Sequence, residues 1–220
     1  MTMKRPKGAP RDGLPLKGKV EIWAYKKGVL FDHQTHKNIL FFQGFAEIIR
    51  TLSTIPGVNS AVSTKPRIIN RMAVGDLGTV PSDPTTPKVP TEGLPQELSP
   101  TTNGLYHEVY RKDVDTRNLT ITPCNSSGDG AVNQCEFIAT FDAVDVSSSA
   151  FTVSSNPVLN EVGLVIIDPT AAGGITRSAV TGPTAPPTDE VIMSIRCFKS
   201  IPFDAADEIS VTIQYTLFME

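Results

Sequence analysis

From Ile209 to the C-terminal Glu220 the chain alternates with a period of two, with Ile209, Val211, Ile213, Tyr215, Leu217 and Met219 set against Ser210, Thr212, Gln214, Thr216 and Glu220. Side chains two apart share one face of a strand, so this segment predicts a β-strand with one apolar and one polar side. The same period runs through Cys135, Phe137, Ala139, Phe141 and Ala143, with Glu136, Thr140 and Asp142 on the other side. Asn160–Asp168 is more continuously apolar, as expected of an inner strand. Val191, Met193, Ile195 and Cys197 are expected together on one face of a further strand. Lys19–Tyr25 and Val29–His36, separated by Lys26, Lys27 and Gly28, predict a hairpin. Arg67–Val74 is another candidate strand, and Leu105–Val114 and Asn118–Cys124 read as an adjacent pair.

One stretch departs from this period. Phe41, Phe45, Ile48 and Leu52 recur at helical spacing, which predicts a single main helix near residues 43–54, closed by Pro56 and Gly57. Many short strands with one helix exclude a repeated βαβ architecture. The expected fold is therefore all-β: an antiparallel β-sandwich or barrel-like domain with one main helix and long loops.

Domain organisation follows from charge and proline placement. Residues 1–18 form an extended basic arm, since Pro6, Pro10 and Pro15 oppose helix and central strand alike. Residues 1–19 carry six basic groups against Asp12, or +5, while the whole chain is at −3, which leaves −8 for the remainder. Residues 19–220 are read as a single β-rich domain, with a proline-rich loop at 75–104. That acidic body argues against sequence-specific nucleic-acid binding. No apolar run reaches the ~18 residues of a membrane span, so no membrane partner is expected.

The candidate chemical motifs yield no catalytic, cofactor or metal residue. His33 and His36 are three apart on a predicted strand and so point to opposite sides. Gly75–Thr79 resembles part of a phosphate loop but lacks its spacing and its lysine. Cys124, Cys135 and Cys197 lack zinc spacing; Cys197 is expected to be a buried thiol, and a Cys124–Cys135 bridge stays open.

The order of short motifs nevertheless resembles a diverse group of tailed-bacteriophage virion proteins of the neck or collar, tail or baseplate. The matching positions are Gly75 and Gly78; Leu105, Glu108 and Arg111; Glu161, Gly163 and Leu164; Arg196, Phe198 and Ile201; and Ile213, Tyr215 and Phe218. The resemblance implies a non-enzymatic part of a ring or sheath, without cofactor or metal, located in the virion after synthesis in the host cytoplasm. Its expected partners are copies of itself in a cyclic homo-oligomer, with six- or twelve-fold order, and other virion structural proteins. It also implies that Glu108, Arg111, Glu161 and Arg196 join strands through carboxylate–guanidinium pairs. The alternative is a tail-tip or fibre-associated module binding a cell-surface glycan, which an exposed groove of Trp23, Tyr25, Tyr106 and Tyr110 favours.

Overall fold

The computed structural model describes residues 16–37, 39–40, 68–88, 105–123, 130–167 and 190–219. The expected helix at 43–54, Cys124 and residues 1–15 of the arm lie outside the described residues. Within them the chain is mostly antiparallel β-sheet, and no helix reaches seven residues. The helical elements are single 3-10 turns at Ala143–Asp145, Ser148–Ala150 and Ala205–Asp207. None is long and apolar enough to cross a membrane.

Among the described residues twelve strands occur in chain order: β1 (Leu16–Lys26), β2 (Val29–Lys37), β3 (Ile39–Leu40), β4 (Ile68–Gly75), β5 (Thr79–Val80), β6 (Asp83–Pro87), β7 (Glu108–Asp113), β8 (Thr116–Pro123), β9 (Gly130–Asp142), β10 (Val158–Ile167), β11 (Glu190–Pro202) and β12 (Ile209–Met219). They form a five-stranded sheet in the order β2-β1-β12-β9-β8, a second in the order β3-β11-β10-β4-β7, and the hairpin β5-β6.

The β1–β2 hairpin turns on two residues. Lys27 (φ 50°) and Gly28 (φ 76°) are both left-handed, the conformation that matches the twist of a two-residue hairpin. The expected Leu105–Val114 and Asn118–Cys124 pair is not formed. β7 pairs with β4 and β8 with β9, so the chain passes from one sheet to the other at Val114 and Asp115. Backbone bonds from Val114 N–H to Asn70 O and from Asp115 N–H to Ile138 O, both 2.8 Å, anchor each end of that passage. The first part of the 75–104 segment is also structured, because β5 and β6 lie within it. Thr85 and then Thr86 donate to the Asp83 carboxylate and hold it down at about 2, which fixes the start of β6.

The main buried cluster draws Val20 and Ile22 from β1, Phe137 and Phe141 from β9 and Val211, Ile213 and Tyr215 from β12. Met72, Val109, Leu164, Met193 and Phe198 of the second sheet complete it. The Tyr215 hydroxyl, itself buried, donates to Val162 O at 3.1 Å and ties β12 to β10. A smaller cluster, Ala73, Leu105, Val165, Ile167, Ile192, Ile195 and Cys197, occupies the other face of β4, β10 and β11.

A bulge in β11 explains one departure from the sequence pattern. Leu164 pairs with Ser194 but Val165 with Ile192, so Met193 is the extra residue. Met193 enters the main cluster, while Ile195 and Cys197 face the smaller one. The expected single row from Met193 to Cys197 is thus split between two faces. Cys197 is still a buried free thiol, pushed up to about 12 chiefly by burial, and Cys135 is also free.

Candidate functional site

Among the described residues, a dense polar arrangement lies where β4, β7 and β10 end together. β10 is inner to its sheet, and every described position from Leu159 to Ile167 is buried. Asn160 and Glu161 therefore have no solvent to turn to, and burying them requires partners from protein. Glu161 finds three backbone donors. Leu77 and His107 N–H donate to its Oε1 at 3.2 and 2.8 Å, and Tyr106 N–H to its Oε2 at 2.7 Å. Burial pushes the carboxyl up to about 7, outweighing these donors, which pull its pKa down.

The geometry depends on a missing side chain. Glu161 pairs with Gly75 across β10 and β4. A Cβ on Gly75 would sit 2.2 Å from His107 O and 2.5 Å from Glu161 Oε1. Gly78 is equally constrained, since a Cβ there would lie 2.2 Å from Asn160 O. Its N–H donates to Asn160 Oδ1 at 2.6 Å, and Asn160 Nδ2 lies 3.1 Å from Asp76 O, Thr79 Oγ1 and Ser200 Oγ. Gly75 and Gly78, which the sequence offers as a partial phosphate loop, instead make room for β10.

Asp76 extends the network. Its carboxylate meets His107 Nδ1 at 2.6 Å and accepts from Thr152 N–H at 2.5 Å and Thr152 Oγ1 at 3.1 Å. The bond to Asp76 raises the His107 pKa, against the lowering effect of burial. Lys88 adds a further tie: its Nζ donates to Leu77 O at 2.6 Å and lies 4.1 Å from the Tyr106 ring centroid. Two chain segments nearly thirty residues apart in sequence, 76–78 and 105–107, are thus fastened to the same strand.

Glu108 and Arg111 sit beside this clasp. At i and i+3 on a regular strand they would point apart. Val74 pairs with Tyr110 and Gly75 with Glu108, which leaves Val109 as a bulged residue and turns Glu108 to the side of Arg111. Two parallel bonds of 2.8 and 2.5 Å join the buried pair. Glu108 and Arg111 do form a carboxylate–guanidinium pair, but both belong to β7, so the pair does not join strands as the resemblance implies. The resemblance also misplaces the other two. Glu161 is held by backbone N–H groups, and Arg196 faces His36 at 3.4 Å with its buried Nε unpartnered. No protein-family model, curated protein or solved structure matches this chain.

The remaining candidates do not converge on the clasp. Asp32, Gln34 and His36 share one side of β2 and Phe31, His33 and Thr35 the other, so the two histidines diverge. His33 stacks on Trp23 at 5.3 Å between centroids, and burial lowers the His36 pKa with a further contribution from Arg196. The four aromatics form no common groove. Trp23 and Tyr25 are half-buried on β1, Tyr110 on β7 packs edge-on to Phe141 at 6.2 Å, and Tyr106 rests against the smaller cluster. Sequence reasoning missed Asp76, His107, Thr152 and Asn160, whose association depends on contacts across 31 to 84 positions of chain.

Proposed function

We propose that the chain is a non-enzymatic structural subunit of a tailed-bacteriophage virion, repeated around the neck or collar or the tail. One observation carries this reading. Gly75, Gly78 and Glu161, scattered through the motifs that resemble such proteins, meet in one buried clasp, with the Glu108–Arg111 pair beside it. Their hydrogen-bonding capacity is spent on backbone and on each other, which suits a scaffold that positions a long excursion of chain rather than a centre that turns over substrate. The reading includes a finer fold, an antiparallel β-sandwich in a single domain from residue 19 onward. The main cluster shared by the two sheets and the Tyr215–Val162 bond support it.

The subunit is inferred to act as a cyclic homo-oligomer among other virion proteins, in particles assembled in the host cytoplasm. Quantitative mass spectrometry of purified particles, with localisation in a cryo-electron map, tests this. Multiple stoichiometric copies in a ring are expected. Complete, infectious particles lacking the chain overturn the proposal.

A further inference from the structure

Among the described residues, one end of the first sheet carries several exposed apolar side chains. Val29, Leu30 and Phe31 at the start of β2 are 69, 49 and 45% exposed, and Val144 at the same end is 69% exposed. Ala24 pairs with Asp32 and Tyr25 with Leu30, so Phe31 is a bulged residue on an edge strand. Three consecutive exposed apolar residues are costly in a chain with ample polar alternatives, and they mark a contact surface.

The surroundings of this patch define its occupant. Three connections meet here, because Lys26 pairs with Ile209 and Ser210 with Asp142. They are the hairpin turn, residues 142–145 and residues 204–208. Together they hold Lys26 and Lys27 against Asp142, Asp145, Asp204, Asp207 and Glu208, or 2 − 5 = −3. Lys26 is already bound to Asp207 at 2.8 Å. Residues 1–15 carry Lys4, Arg5, Lys7 and Arg11 against Asp12, or +3, interspersed with Met1, Met3, Leu14 and prolines. That segment joins β1 at Leu16, whereas the patch lies beyond Lys26 at the other end of the same strand, about 35 Å away. Both hydrogen-bonding edges of β1 are occupied, by β2 and β12. The segment and the rim carry opposite charge, so the rim of a neighbouring copy is a complementary surface for it.

We propose that residues 1–15 of one copy dock on the Val29–Phe31 and Val144 surface of the next, a head-to-tail contact that rests on the repeated-subunit reading above and names its interface. The apolar surface supplies burial, and the acidic rim sets direction and speeds encounter.

Solution mass by sedimentation, across concentration and salt, tests the contact in the full-length chain. One variant reverses the arm with K4E, R5E and K7E. A second reverses the rim with D142K and D145K; Asp142 makes no side-chain capping bond that the change would remove. A third replaces the patch with L30S and F31S. Each is expected to weaken self-association at least ~10-fold and to leave the thermal melt near that of the parent chain. Mixing the arm-reversed and rim-reversed chains is expected to restore association, since each then offers what the other needs. A parent chain that stays monomeric, association indifferent to the rim and patch variants, or a mixture that does not recover overturns the inference. Incorporation of the rim-reversed chain into particles at parental copy number also overturns it, while leaving the repeated-subunit reading intact.

Discussion

β12 and β10 are both inner strands, hydrogen-bonded along both edges, yet they solve different problems. β12 buries Ile209, Val211, Ile213, Tyr215 and Leu217 and keeps Ser210, Thr212 and Gln214 partly in solvent. β10 is covered on both faces, with apolar residues shared between two clusters and two polar residues enclosed among them. A half-exposed strand satisfies its polar side chains with water at little cost. A strand covered on both sides must have every polar atom matched by protein, and the match fixes whatever supplies it. Asn160 and Glu161 thereby fix two distant loops. Substitutions at the two strands are therefore expected to differ in cost by several-fold.

The largest effect is expected at Glu161. Glu161→Ala removes the acceptor for Leu77, Tyr106 and His107 N–H together, leaving buried donors unpaired. The expected loss is about 3–5 kcal/mol of stability, on the scale of breaking a buried charged network. Chemical denaturation measures the loss. Hydrogen exchange identifies its origin, with protection falling at Leu77, Tyr106 and His107 and largely retained at the centre of β12. Uniform loss across both strands would show that the clasp is not a separate unit.

The next effect is the pH dependence of the same group. Glu161 has an ordinary value of 4.5 and is raised to about 7 in the fold, mainly by burial. As pH rises through that window the unfolded chain releases its proton first, so the fold loses roughly 3 kcal/mol that is fully present below 4.5. His107 acts in the same direction. Its raised pKa gives a contribution that is intact below 6.5 and is lost as pH rises through the folded value. Thermal midpoints are therefore expected to fall from mildly acidic to neutral pH and beyond. Glu161→Gln should flatten the lower part of that slope and leave the His107 part. An unchanged profile in this variant would assign the titration elsewhere.

The contrast between the strands also explains what the sequence makes legible. Alternation in β9 and β12 is a direct consequence of one wet face, so a period of two reads out strand, face and core residues together. The nearly continuous apolar run of β10 marks an inner strand but conceals which face each residue serves. The bulges at Met193 and Val109 have no signature in composition, and each reverses the side on which later residues fall. The passage between sheets at Val114 and Asp115 is equally silent, because a short turn between two strands ordinarily signals a hairpin. The matching positions of the short motifs include Gly75, Gly78 and Glu161 but not Asp76, Thr152 or Asn160, and they carry none of the geometry. The resemblance implies a guanidinium opposite Glu161, and only the close approach of Gly75 shows why backbone reaches it instead.

Glycine substitutions offer a smaller and more local test. Gly78→Ala places a Cβ against Asn160 O beside the clasp, where backbone on both sides must shift. A cost of about 1–3 kcal/mol is expected, as for overpacking a filled site. Gly28→Ala meets nothing within 4 Å and is opposed only by its φ of +76°, so it should cost about 1 kcal/mol. Equilibrium unfolding of both variants, with exchange at the Gly78 N–H, separates crowding from backbone strain. An equal cost at both sites would mean that the close approach at Gly78 relaxes without disturbing β10.

The smallest effect is expected on the outward side of β12. Thr212 pairs with Thr140 of β9, and their hydroxyls lie 3.0 Å apart, both partly exposed. Thr212→Val keeps the branched shape that suits a strand and removes one hydroxyl from a pair that water can replace. A cross-strand pair of this kind contributes roughly 0.2–1 kcal/mol, and the apolar methyl returns part of that on a half-covered surface. The net change should stay within about 0.5 kcal/mol, several-fold below the Glu161→Ala loss, when both are measured by urea unfolding at one pH. Thr212→Asp, which adds a charge at the same place, should likewise remain tolerable if water reaches that face. A loss above about 2 kcal/mol for either variant would mean that the outward side of β12 is covered as β10 is. The polar residues there would then be matched by protein too, and the distinction between the two strands would reduce to the number of donors each carboxyl or hydroxyl receives.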